Sequence, residues 1–96
     1  QKLAYKSGWV YLIRSSAGMY KIGRSRKDPL RRLEELQTTN AYDLELVCVI
    51  KSSNAWDLEA QYHHKFADKR VRSEWFALSD EDVTYIKKRA GKAIEV

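Results

Sequence analysis

The sequence predicts a mixed α/β domain with a small sheet, and three observations carry that prediction. Two runs rich in β-branched and aromatic residues, 9–13 and 44–50, read as strands. Three other segments open on helix-start residues, and the first two of them also show helical spacing of apolar residues. A chain of 96 residues suits one domain, whose modest core must use its apolar residues well.

Taken in order, residues 9–13 (Trp-Val-Tyr-Leu-Ile) contain no breaker and form the first strand. Residues 15–18 are turn material, and residues 20–22 return as a second strand ended by Gly23, which makes a β-hairpin. Asp28 is placed to cap a helix and Pro29 suits its first position. Leu30, Leu33 and Leu36 then continue at helical spacing to about Gln37. After a loop over 38–43, residues 44–50 are apolar except for Glu45 and read as a well-buried third strand. Ser52, Ser53 and Asn54 offer a cap for a second helix over 55–66. Residues 69–76 read as irregular or briefly extended. Ser79 and the acids at 80–82 start a third helix, Lys87, Lys88 and Arg89 complement its negative end, and Gly91 is its natural stop. The order is β-β-α-β-α-α.

Composition narrows the function classes. Eighteen basic against thirteen acidic residues give a formal charge of +5 and a pI near 9.4, a balance that permits a polyanionic partner. Lys21, Arg24, Arg26, Lys27, Arg31 and Arg32 face only Asp28 in the stretch 19–32. Lys65, Lys69, Arg70 and Arg72 face only Asp68 in 65–72. Each cluster is either a solvated face or a phosphate-binding surface. The lone Cys48 lies in an apolar run and is expected in the core. With no signal-peptide pattern and no stretch of membrane-spanning length, the expectation is an intracellular protein that is not secreted and has no membrane partner. The chain starts at Gln1, which suggests a domain excised from a longer protein.

Two places stand out chemically. In the second helix, Ala55, Leu58, Tyr62 and Phe66 form one apolar stripe, and Glu59 lies at its edge, about 55° from the centre. His63 is stacked one turn beyond. Glu59 is either a boundary residue reaching water or a carboxylate aimed at a metal ion, since burying it without a partner is costly. Glu59 and His63 together are too few ligands to specify zinc. In the hairpin, Tyr11 and Lys21 share a sheet face if paired residues sum to an even number, as in Ile13 with Lys21. That register requires a three- or five-residue loop or an added bulge.

The succession Gly8-Trp9-Val10-Tyr11, Lys21-Ile22-Gly23, Arg32-Leu33 and Leu58-Glu59 resembles the motif order of the GIY-YIG nuclease superfamily. The similarity is closest to its phage open-reading-frame branch, which has K-I-G at the second motif. That branch also has a helix Glu followed by His four and Phe seven residues on, and a later E-W-F; here these are Glu59, His63, Phe66 and Glu74-Trp75-Phe76. The resemblance spans about residues 8–78.

This resemblance implies a three-stranded antiparallel sheet flanked by helices and a metal-dependent endonuclease acting on nucleic acid, DNA rather than RNA. A single Mg²⁺ or Mn²⁺ ion would have Glu59 as its only protein ligand, with waters completing the shell. Arg32 would hold the scissile phosphate, and Tyr11 would be, or orient, the base that activates water. Arg24, Arg26, Lys27, Arg31, His63 and Arg70 are the expected nucleic-acid contacts. Fusion to a specificity domain would supply sequence selectivity. The chain departs from the superfamily pattern at two points. Lys21 stands where the second tyrosine is common, and Tyr20 should point to the opposite face. Lys21 is therefore placed in the site, where its ammonium would lower the pKa of Tyr11. No asparagine follows Glu59, and Glu74 occupies that general region, free to bind a water of the metal shell or to pair with Arg70 or Arg72. A binding module of the same fold, without efficient catalysis, is the alternative.

Overall fold

A computed structural model describes residues 7–90. Its strands are β1 (Gly8–Ser15), β2 (Tyr20–Ser25), β3 (Leu44–Ser52), β4 (Arg70–Arg72) and β5 (Trp75–Phe76). The helices are α1 (Pro29–Thr38), α2 (Ala55–Lys65) and α3 (Asp80–Ala90), with a 3-10 turn, Ala67–Lys69, between α2 and β4. The strands form one antiparallel sheet in the order β3-β1-β2-β5-β4. The expected three-stranded sheet is thus corrected to five strands. The segment read as irregular or briefly extended supplies the two short ones, which pair with each other and then with β2.

The hairpin has the register that puts Tyr11 and Lys21 on one face: Ile13 pairs with Lys21 and Tyr11 with Gly23. The loop is effectively three residues long. Ser15 N–H donates to the Met19 carbonyl at 2.8 Å, and Gly18 N–H donates to the Ser15 carbonyl at 2.8 Å. Gly18 has φ 89°, a conformation that glycine adopts without steric cost and that suits the last position of such a loop. On the other side, β3 carries a bulge where Leu12 pairs with Cys48 but Ile13 pairs with Leu46.

Each sheet face has its own core. Val10, Leu12, Ile22, Cys48 and Ile50 pack with Leu58, Tyr62 and Phe66 from α2 and its end, and with Ile86 and Ala90 from α3. Tyr11, Ile13 and Val49 pack on the opposite face with Leu33 and Leu36 of α1 and with Trp75. Strand β3 lies at the sheet edge; of the expected well-buried run, Cys48, Val49 and Ile50 are buried, and Leu44, Leu46 and Val47 are half-buried. Leu30 is 50% exposed, so the α1 stripe rests on Leu33 and Leu36 alone.

The helix starts follow their sequence signals. The Asp28 carboxylate accepts from Leu30 N–H, and Asn54 accepts from Asp57 N–H. At α3, Ser79 Oγ accepts from Asp82 N–H while Asp82 accepts from Ser79 N–H and from Lys69 Nζ. This reciprocal pair satisfies helix-end donors that would otherwise lack partners. The expected stop at Gly91 lies outside the described residues. Replacing Ser79 by Ala is expected to lower the unfolding free energy by about 1 kcal/mol, measured by chemical denaturation.

Candidate active site

The site begins with the packing of Tyr11 on Gly23. These residues face each other across β1 and β2, and the tyrosine ring crosses its partner so closely that a Cβ at position 23 would overlap the ring and hydroxyl. The glycine leaves the space that lets Tyr11 lie over β2 toward the sheet edge. Strand β5 pairs with β2 only at Tyr20 and Lys21. The remaining half of β2 has no strand on its outer side among the described residues.

Side chains from both sheet faces act electrostatically on the Tyr11 hydroxyl. Arg32, projecting from α1, lies near enough to the Tyr11 hydroxyl to oppose its upward pKa shift, and donates to Glu35 at 3.2 Å. The negative charges of Glu74 and Glu59 act on the same hydroxyl. Burial raises the pKa of Tyr11 above the ordinary tyrosine range, and this outweighs the opposing effect of Arg32. Tyr11 in turn holds the guanidinium of Arg32 firmly in its charged form. The structure therefore favours a neutral phenol beside a cation.

Glu59 enters from the α2 side. It is 6% exposed, so the boundary reading gives way to a buried carboxylate. Its Oε1 accepts from Arg24 Nη1 at 2.5 Å, while Oε2 is buried with no hydrogen-bond partner among the described residues. Arg24 pairs with Val10 on β2 and lies on the face that α2 covers. Its guanidinium carbon sits 4.3 Å from the centre of the Trp56 ring, one turn before Glu59 on the same helix.

Lys21 requires a correction. It shares the face of Tyr11 and Gly23 as expected, and Tyr20 packs into the opposite core. However, its ammonium is bound to Glu74 at 2.9 Å and lies 5.7 Å from the centre of the Trp75 ring. Tyr11 is shifted upward, and Lys21 is not among the groups that shift it. Lys21 therefore ties β2 to the β4–β5 corner, and the expected downward shift of Tyr11 is replaced by an upward one. Glu74 pairs with Lys21 in place of Arg70 or Arg72.

His63 is also engaged internally. Its Nε2 lies 2.8 Å from the Ile22 carbonyl and its Nδ1 lies 3.0 Å from Arg70 Nη2. A carbonyl only accepts and a guanidinium only donates, so these partners assign the proton to Nε2. With both ring nitrogens used, His63 does not join Glu59 as a second metal ligand in this arrangement. It braces α2 against β2, and its ring meets Phe76 edge-on.

The two basic clusters separate. Arg26, Lys27, Arg31 and Arg32 line one open cleft of about 300 Å³ with Ser25 and Glu35, directly beside the Tyr11–Arg32 pair. In the second cluster Lys69 is bound to Asp82, Arg70 reaches His63 and lies over Phe76, and Lys65 lies over Tyr85. That cluster serves largely internal contacts. Among the described residues no three His, Cys, Asp or Glu side chains gather as a metal cage. No described helix is long and apolar enough to cross a membrane.

The sequence pattern of the T5orf172 domain matches residues 8–91, nearly the whole chain, and the protein belongs to that family. No curated protein and no solved structure gives a match.

Two outcomes check this geometry. The Tyr11 hydroxyl, followed by NMR, should titrate above the ordinary value of 10.0. Arg32→Gln should move it further upward, whereas Lys21→Met should leave it nearly in place. Because the folded pKa is raised, this tyrosine's contribution to stability is fully present below pH 10.0 and is lost as pH rises through the folded value. Gly23→Ala should cost about 1–3 kcal/mol through overpacking, read by thermal denaturation, and should displace the tyrosine ring.

Proposed function

We propose that this T5orf172 domain is a metal-dependent endonuclease that hydrolyses phosphodiester bonds in nucleic acid, DNA in preference to RNA, by GIY-YIG-type chemistry. The observation that carries the reading is a tyrosine kept neutral beside an arginine that lines a basic cleft, with the buried Glu59 near enough for its charge to act on the tyrosine hydroxyl. The unpartnered Oε2 of Glu59 fits a hard divalent cation that takes one carboxylate oxygen and keeps several waters. Glu59 would hold Mg²⁺ or Mn²⁺, which when bound supplies positive charge to the phosphate.

In this reading Arg26, Lys27 and Arg31 seat the strand in the cleft. Arg32 donates to the scissile phosphate and stabilises the negative charge that grows on it during displacement. Tyr11, kept neutral by burial, orients the attacking water by hydrogen bonding and is not itself the resting base. The water oxygen bonds to phosphorus as the bridging P–O bond breaks; the water gives up a proton to solvent and the departing oxygen takes one from solvent, so the products are a phosphate monoester and a hydroxyl. Fusion to a specificity domain in a longer protein is part of the same proposal. The second reading is a nucleic-acid-binding module with the same fold; the Arg24–Glu59 pair, which already occupies one carboxylate oxygen, favours it.

Plasmid nicking with Mg²⁺ or Mn²⁺ tests the proposal. The native chain should nick. Arg32→Ala should slow the reaction about 10²–10³-fold, Tyr11→Phe about 10²–10⁴-fold, and Glu59→Ala should abolish it. Salt-sensitive binding without cleavage by the native chain would support the binding module.

A further inference from the structure

Glu59 is held by two neighbours that belong to different elements. Arg24, on β2, donates to Oε1 at 2.5 Å, and Trp56, on α2, lies flat enough against the guanidinium for its ring centre to be 4.3 Å away. The Glu59 side chain is 8% exposed, whereas the Arg24 side chain is 37% exposed and Trp56 is 48% exposed. The carboxylate is thus enclosed, and the cation that neutralises it stands at the surface on an aromatic ledge. Arginine suits this position because its planar group can stack and donate at once, which an ammonium does less well.

We propose that Arg24 is a displaceable counter-ion: it orients the Glu59 carboxylate, and competes with the divalent cation until phosphate draws it away. This rests on Glu59 being the metal ligand. A carboxylate left uncompensated in this enclosure would be costly, so the pair makes the metal-free domain tolerable. A divalent cation at Oε2 would bring a second positive charge against the same carboxylate, and the two cations repel. Arg24 does not line the basic cleft, but its side chain is 37% exposed, so a phosphate arriving at this edge offers its guanidinium a new anion. Arg24 leaving Glu59 for that phosphate frees the carboxylate for the metal, and Trp56 is the ledge along which the planar group slides. Metal and nucleic acid then bind with positive coupling, which must be reciprocal. Arg24 acts on Glu59 as a positioning residue.

The test measures Mn²⁺ binding by electron paramagnetic resonance, in the absence of turnover, to the native chain and to Arg24→Gln, Trp56→Ala and Glu59→Gln. It is repeated with a short phosphorothioate oligonucleotide that resists cleavage. Arg24→Gln should bind Mn²⁺ on the order of tenfold more tightly, the effect of removing one charge-assisted competitor. The oligonucleotide should tighten Mn²⁺ binding to the native chain but not to Arg24→Gln. Trp56→Ala, which keeps both charged groups, should lie between them. Unchanged or weaker Mn²⁺ binding in both Arg24→Gln and Trp56→Ala, with native binding abolished by Glu59→Gln, would overturn the counter-ion role while leaving the metal site intact. No Mn²⁺ binding by any variant, or binding indifferent to Glu59→Gln, would overturn both.

Discussion

Holding the Glu59 carboxylate almost out of water is the constraint around which this small domain is arranged. A buried charge has to be matched by an opposite charge and hydrogen bonds, and a chain of 96 residues has little apolar burial to offset it. The apolar stripe of α2, formed by Ala55, Leu58 and Tyr62 with Phe66 beyond, seats the helix on the sheet. That seating places Glu59 beside β2, where Arg24 answers it. His63, braced between the Ile22 carbonyl and Arg70, fixes the same helix to the same strand. One oxygen of the carboxylate is satisfied and the other is not, and the unsatisfied one gives the edge its chemical interest.

The sheet then decides what that edge can contain. An even-sum register brings Tyr11 opposite Gly23, and only a residue without a Cβ lets the ring pass. The three-residue loop with Gly18 sets that register, and the β4–β5 corner holds the outer end of β2 through Lys21, Glu74 and Trp75. Because β5 is only two residues long, the inner half of β2 stays open to the cleft. Arg32, carried by a helix that packs through Leu33 and Leu36, links the tyrosine to that cleft. Local turn chemistry, strand length and helix packing thus converge on one place, where a phosphate would meet a neutral hydroxyl and a fixed cation.

Much of this was legible in the residues. The capping chemistry at Asp28, Asn54 and Ser79, the α2 stripe and the shared face of Tyr11 and Lys21 follow from periodicity and turn composition. The two-residue strand β5 was not legible, because Trp75–Phe76 is too short to show a period, and its pairing with β2 depends on a corner formed by distant residues. Lys21 was misread for a related reason. Strand alternation gives its face correctly, but alternation says nothing about Glu74, which takes the ammonium and leaves burial to govern Tyr11. The partners of His63 and Arg24 were equally invisible, since each lies across a long sequence separation. A clue was available for Arg24: a basic residue directly after the second-motif glycine, on the face that an acid-bearing helix must cover.

The proposed function depends on the unpartnered oxygen of Glu59 binding a divalent metal ion. The most direct measurement is an anomalous-difference map from crystals soaked in Mn²⁺. A metal-ligating Glu59 gives a single peak at Oε2, about 2.0–2.2 Å from the oxygen by the usual range for small hard cations. A peak elsewhere, or none with Glu59 still clamped by Arg24 at saturating Mn²⁺ and bound oligonucleotide, would contradict it.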